Sequence, residues 1–175
     1  RGERIRRTLR RLLAAVDLAQ AADVRVETTW VKGHVGVQGN ELADDLARAV
    51  AKTRPVAVLD RMAKEIARQH KADRDGNVED FIESDDRFHK LLALGAGQEA
   101  VWADLDRLKA QMNRLRHLSM RAFDRSFTIG QHQQILDALR GGDADAAESA
   151  MRAHLRQMLT EVPQIAAAQP DYFTA

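Results

Sequence analysis

Asp85 and His89 stand four residues apart on a stripe otherwise made of Val78, Phe81, Ile82, Phe88 and Leu92. At helical spacing their side chains lie one above the other on one face. Two more histidines interrupt apolar stripes in the same way. His132 shares a face with Ile135, Leu136 and Leu139, and His154 shares one with Ala147, Met151 and Met158. Three helices thus each turn a histidine inward, and one adds a carboxylate. A single inward histidine is an ordinary core residue, and Asp85 could simply pair with His89. Burying all four groups without a shared partner would cost several kcal/mol. A divalent cation would satisfy them together. Three imidazoles and one carboxylate suit zinc first, and also nickel, manganese or iron, with water or a ligand carboxylate completing the coordination. His117 lies off the core stripe, and His70 precedes a polar loop, so neither joins the set.

The elements that must carry these residues read as helices. Pro55 suits a first turn, and Leu59, Met62, Ala63 and Ile66 follow at helical spacing. Lys71–Gly76 is a polar break. Asn77 caps a helix to about Leu94, which Gly95 and Gly97 end. Val101, Leu105, Leu108, Met112 and Leu115 alternate steps of four and three and predict a long helix. Thr128, with Gln131 three residues on, reads as a capping box for the His132 helix. Gly141–Gly142 end that helix. Asp143 caps the last one, which stops near Pro163. Five antiparallel helices on short loops predict an α-bundle.

The first third is different. Ile5, Leu9, Leu12, Leu13 and Val16 mark an amphipathic helix from Glu3 to Ala22, with an arginine-rich outer face. Val24, Val26, Thr28 and Trp30 alternate with polar residues and predict a strand. Gly33, Gly36 and Gly39 form a loop, and Asn40 caps a helix from Glu41 to about Thr53. Leu42, Ala43, Leu46, Ala47 and Val50 give that helix an apolar stripe fit to cover the bundle. The boundaries expected are therefore residues 1–54 for the helix–strand–loop–helix segment and 55–175 for the bundle.

Composition narrows the classes. The 175 residues include no cysteine, which excludes disulfides, thiolate metal sites and cysteine nucleophiles and suits a cytoplasmic protein. No apolar run approaches the roughly 18 residues that span a bilayer, so no membrane partner is expected. Apolar residues at 45% and charged residues at 30% are a globular balance. Residues 1–56 hold eleven basic against seven acidic side chains, and residues 57–175 hold sixteen against nineteen. Neither excess is large enough to demand a nucleic-acid partner.

The segments Asp85-Asp86-Arg87-Phe88-His89, Gly130-Gln131-His132 through Asp143, and Ala150-Met151-Arg152-Ala153-His154-Leu155 resemble the ligand-sensing FCD domain of the FadR subfamily of GntR transcriptional regulators. The tail Gln169–Phe173 is similar too, so the resemblance runs from about Pro55 to Phe173. It implies a non-enzymatic, metal-containing effector domain, with Asp85, His89, His132 and His154 as ligands. It also implies a small organic acid as effector, a homodimer, and DNA contact through a winged helix-turn-helix that these residues do not show. Arg114 and Arg116, on the long helix, are the cations assigned to the effector pocket. The family's first helix is not recognisable by its usual arginine, and Glu41–Thr53 stands in its place.

Trp30-Val-Lys-Gly-His34 through Asn40-Glu-Leu-Ala-Asp44 to Arg48 resembles another family, the C-terminal part of ribonuclease H, over about residues 5–52. That resemblance implies proton transfer or product release at His34 and a metal-holding carboxylate at Asp44. Hydrolysis by two metals needs further carboxylates. Residues 1–29 form one helix and the start of one strand, so that set is incomplete and no nuclease activity is expected. On the residues alone, His34 is a loop residue and Asp44 an acid favoured by the helix dipole. Two family signatures on one chain imply a fusion, an engineered chimera or a misjoined frame. The alternative function is a ribonuclease H-like fragment with a helical appendage.

Overall fold

The computed structural model describes residues 38–100, Trp102, Asp106 and residues 116–168. The expected helix Glu3–Ala22, the strand Val24–Val31, His34, Arg114 and the tail from Gln169 lie outside the described residues. So does most of the predicted long helix, of which Trp102, Asp106 and residues 116–122 are helical.

Among the described residues, five helices have both ends defined: α1 Gln38–Thr53, α2 Val56–Arg74, α3 Val78–Gly95, α4 Arg125–Gly141 and α5 Ala144–Ala168. No strand occurs among the described residues. Helix α2 packs along α3 and α4, and α5 lies against both α4 and α1. The core between them is built from Met62, Phe81, Phe88, Leu92, Ile129, Ile135, Leu136, Leu139 and Met151, all fully buried.

The α1–α2 turn is tight because Pro55 keeps the residue before it out of the right-handed helical region. Arg54 adopts φ 45° instead, and its N–H still reaches Val50 O at 2.8 Å. Gly95 lets the end of α3 lie against this turn. A Cβ there would sit 3.1 Å from Val50 Cγ2 and 3.2 Å from Val58 Cγ1.

The caps follow local chemistry, with four departures from the expected ends. Helix α1 begins at Gln38, so Asn40, expected to cap it, lies within the helix. Asn77 accepts from the Asp80 N–H at 3.1 Å, as expected. Asp143 accepts from the N–H groups of Asp145 and Ala146. Thr128 does not cap α4. Asp124 does, accepting from Ser126 N–H at 2.9 Å, and Thr128 is buried one turn inside. An aspartate begins the helix earlier because it outcompetes threonine as a cap. Helix α2 continues through the polar break to Arg74, since Gln69 and Ala72 are buried and Asp73 pairs with Arg125 at 2.8 Å. Helix α5 runs through Pro163 to Ala168. The proline removes one backbone donor, and burial of Val162 and Ile165 on either side keeps the turn packed.

Helix α1 belongs to the bundle. Leu42, Leu46, Ala47, Val50 and Ala51 are all buried in the common core. An ion cluster fastens it to α5. Arg152 donates to Asp44 at 2.9 and 3.0 Å and to Glu148 at 2.6 Å. Arg48 donates to Glu148 at 2.6 Å and Asp145 at 2.5 Å.

Candidate metal centre

Helix α3 supplies two of the four polar residues, one turn apart. Helices α4 and α5 supply one each. The bundle brings all four together: one ligand atom from each of Asp85, His89, His132 and His154 lies within 4.8 Å of every other. His154 Nε2 is 3.3 Å from His132 Nε2 and 3.3 Å from His89 Nε2. Asp85 Oδ1 is 3.4 Å from His132 Nε2 and 3.6 Å from His89 Nε2. Four nitrogen and oxygen ligands held tetrahedrally about one ion, at about 2.0–2.2 Å from it, lie about 3.3–3.6 Å apart. The spacing fits a single cation.

The outward sides of two of the three rings are also held. His132 Nδ1 lies 2.8 Å from Gln69 Oε1, and His154 Nδ1 lies 3.0 Å from Gln131 Oε1. A carbonyl oxygen only accepts, so each Nδ1 carries the proton. A neutral imidazole has one N–H, which leaves both Nε2 atoms as lone pairs. Those lone pairs face each other and the Asp85 carboxylate. Lone pairs converging this way repel one another unless a cation, or the N–H of His89 at 3.3 Å from His154 Nε2, lies among them.

The electrostatics keep Asp85, His132 and His154 in their ligating forms. Burial pushes the His132 pKa well down, and the neighbouring His154 adds to this against the pull of Asp85. Burial, then His89, pushes His154 down to about 3. Burial alone would raise the Asp85 carboxyl. The charges of His89 and Arg116 outweigh it and hold the group well below its ordinary value. Arg116 donates to Asp85 Oδ2 at 2.5 Å and to Asp86 Oδ1 at 2.7 Å. One aspartate oxygen is thereby fixed by the guanidinium while the other faces the histidines.

Phe88 stacks on the His132 ring, centroids 4.4 Å apart, and closes that side. His132 is fully buried, whereas the His89 side chain is 17% exposed. The cluster opens toward solvent on the side of His89 and His154.

Gln69, which no sequence motif singles out, and Gln131, expected as a capping-box partner of Thr128, complete the site. Gln69 continues the 59–62–66 stripe by three, which is the signal that marks it as inward. Arg116, expected in an effector pocket, is buried against Asp85 and Asp86. His70 is exposed and His117 half-buried. Asp44 stands far along the chain from this cluster, in the α1–α5 ion cluster, and its carboxylate is used by Arg152.

Comparison with known proteins identifies the family of this bundle. The FCD domain family matches residues 40–157, a span that includes all four clustered residues. The ribonuclease H family matches residues 6–52, so the two matches share most of α1. The chain is 37% identical over 101 residues to the HTH-type transcriptional repressor RspR of Escherichia coli, covering 55% of this chain and 43% of that protein. It is 31% identical over 118 residues to an HTH-type transcriptional regulator in unstable DNA locus of Streptomyces ambofaciens, covering 67% of this chain and 49% of that one. It therefore spans about half the length, or less, of the curated regulators it matches. Over 48 residues it is 48% identical to a ribonuclease H of Chromohalobacter salexigens, covering 27% of this chain and 29% of that enzyme. No helix among the described residues is long and apolar enough to cross a membrane. With the family match extending over two-thirds of its length and the helical bundle in place, the chain belongs to the FCD domain family of GntR-type transcription regulators.

Proposed function

We propose that this bundle is a metal-dependent sensor of a small organic acid, and that it regulates DNA binding rather than catalysing a reaction. The observation that carries the reading is the pair of Nε2 lone pairs of His132 and His154, 3.3 Å apart beside Asp85 Oδ1. Asp85, His89, His132 and His154 would hold the ion, zinc by preference. When bound, the ion supplies a Lewis-acidic anchor for an oxygen of the ligand. Asp85, Asp86 and Arg116 together carry one net negative charge, so a divalent ion leaves one positive charge at the centre. An anionic ligand neutralises it. The ligand enters from the side of His89 and His154, and Arg116 borders the site through its grip on Asp85. Arg114 remains a proposed second contact. The named regulators are HTH-type proteins, and we infer a homodimer whose DNA-reading part lies outside residues 40–157. Placement in the cytoplasm follows from that role.

Elemental analysis of the purified chain, followed by calorimetric titration of small di- and tricarboxylic acids, tests this. One divalent ion per chain and acid binding that vanishes after chelation are expected. Absence of stoichiometric metal after reloading, or acid binding that ignores chelation, overturns it.

A further inference from the structure

We propose that Gln69 and Gln131 are positioning residues for the cluster, holding the protons of His132 and His154 on Nδ1 so that both Nε2 lone pairs face the centre. The purpose of this device rests on the metal reading, but its geometry stands apart from it. Gln69 comes from α2, a helix that contributes no ligand, and it is fully buried. Its Oε1 lies 2.8 Å from His132 Nδ1. Its Nε2 is buried without a hydrogen-bond partner.

That unpaired amide nitrogen is informative. A buried donor without an acceptor costs about 1–3 kcal/mol. Turned end for end, the same amide would donate to His132 Nδ1. The imidazole proton would then move to Nε2 and point at Asp85 Oδ1, only 3.4 Å away. That arrangement would satisfy His132 and Asp85 as a plain core pair, and a proton would occupy the centre. With Oε1 toward the ring, the centre stays open and the amide nitrogen is left unpaired. Phe88, stacked on the ring at 4.4 Å, prevents His132 from swinging away from Gln69. Gln131 repeats the arrangement on His154 at 3.0 Å. Outer-shell partners of this kind fix tautomer and ring orientation, and their loss typically weakens metal binding about 10–100-fold. A carboxamide does this without adding charge, which preserves the positive centre that an acidic ligand requires.

The test uses the full chain, labelled with nitrogen-15 and freed of metal, with imidazole tautomers read from long-range proton–nitrogen correlation spectra. Zinc affinity is measured in parallel by competition with a chromogenic chelator. Wild type should show Nδ1–H at His132 and His154. Gln69→Met should move His132 toward Nε2–H and weaken zinc about 10–100-fold. Gln69→Glu retains the acceptor oxygen and should restore both. Gln131→Met should act likewise on His154, and it decides the matter if Gln69→Met does not fold. Folded Met variants that keep the Nδ1–H tautomer and wild-type zinc affinity overturn the inference, as does a wild type protonated on Nε2. Correct tautomers without zinc affinity support this inference and count against the metal reading.

Discussion

His132 and His154 meet Nε2 to Nε2 at 3.3 Å, each with its Nδ1 turned outward to a glutamine oxygen. Two neutral imidazoles in a dry core would ordinarily turn an N–H toward a lone pair. Here both present lone pairs, and a carboxylate joins them. The relationship links helix packing to chemistry, because α4 and α5 set the distance while α2 sets the tautomer of His132.

His132→Ala should lower metal content and thermal stability together. A ligand that binds only the folded state stabilises it by about 2.7 kcal/mol at a hundredfold excess over its dissociation constant. The clean measurement is the metal-dependent part of the melting temperature, compared with and without chelator. In the variant this increment should vanish. An undiminished increment would remove His132 from the site.

The metal-free protein should lose stability as the pH falls below about 6.5. His132 and His154 have folded pKa values below their ordinary 6.5, so the unfolded chain binds more protons in this window and acid favours unfolding. Each such group contributes a slope of up to about 1.4 kcal/mol per pH unit. The share of His154 ends near its folded value of about 3. Asp85, also depressed, adds the same sign only below its ordinary 3.8. Denaturant titrations between pH 8 and 4 in chelator check this, and a flat profile would contradict the burial of these rings.

The four ligand candidates were legible because a polar side chain on an apolar stripe is a visible anomaly, and Asp85 with His89 doubles it at a spacing of four. Gln69 was not, since a lone glutamine at the end of a stripe looks like the start of the polar face. Only its proximity to His132, 63 positions along the chain, shows its use. Arg116 was singled out as a cation near the pocket, yet its partner Asp85 is 31 residues away and no local pattern predicts that pairing. Helix ends were missed where a competing local group won, Asp124 over Thr128, or where packing overrode a breaker, as at Pro163. The bundle itself was readable because each helix carries a regular apolar stripe and a short connection.

Asp44 should act as a structural partner of Arg152. Burial pushes its pKa up, and the hydrogen bond and charge of Arg152 oppose that shift. Arg152→Ala strands a carboxylate that is 6% exposed. Because Arg152 itself is 44% exposed and solvent screens the pair, the loss should be smaller than the cost of breaking a fully buried pair. In the background of Asp44→Asn the same substitution should cost less. Equal costs in the two backgrounds would mean that the pair is not coupled.

Magnesium-dependent cleavage of an RNA–DNA hybrid should be absent from the purified chain. The ribonuclease H-like match covers residues 6–52, and its helix aspartate, Asp44, is engaged by Arg152 inside the bundle. Cleavage that Asp44→Asn abolishes would restore the nuclease reading.

Removing residues 1–37 should leave a folded, helical, metal-binding protein, whereas removing residues 1–53 should not. The first cut stops before α1, which begins at Gln38. The second deletes Leu42, Leu46, Ala47, Val50 and Ala51, all buried against the other helices. Burying one leucine or valine side chain contributes about 1.5–3 kcal/mol. Losing three such side chains at once removes about 4.5–9 kcal/mol, a large share of the roughly 5–15 kcal/mol that stabilises a typical domain. The cut would also leave the faces of α5 and α4 that pack on α1 open to water. Circular dichroism and zinc binding of the two truncations separate the outcomes. If the shorter truncation unfolds, residues before Gln38 contribute to the bundle. If the longer one remains folded and metal-loaded, α1 is an attachment, and the domain begins at α2.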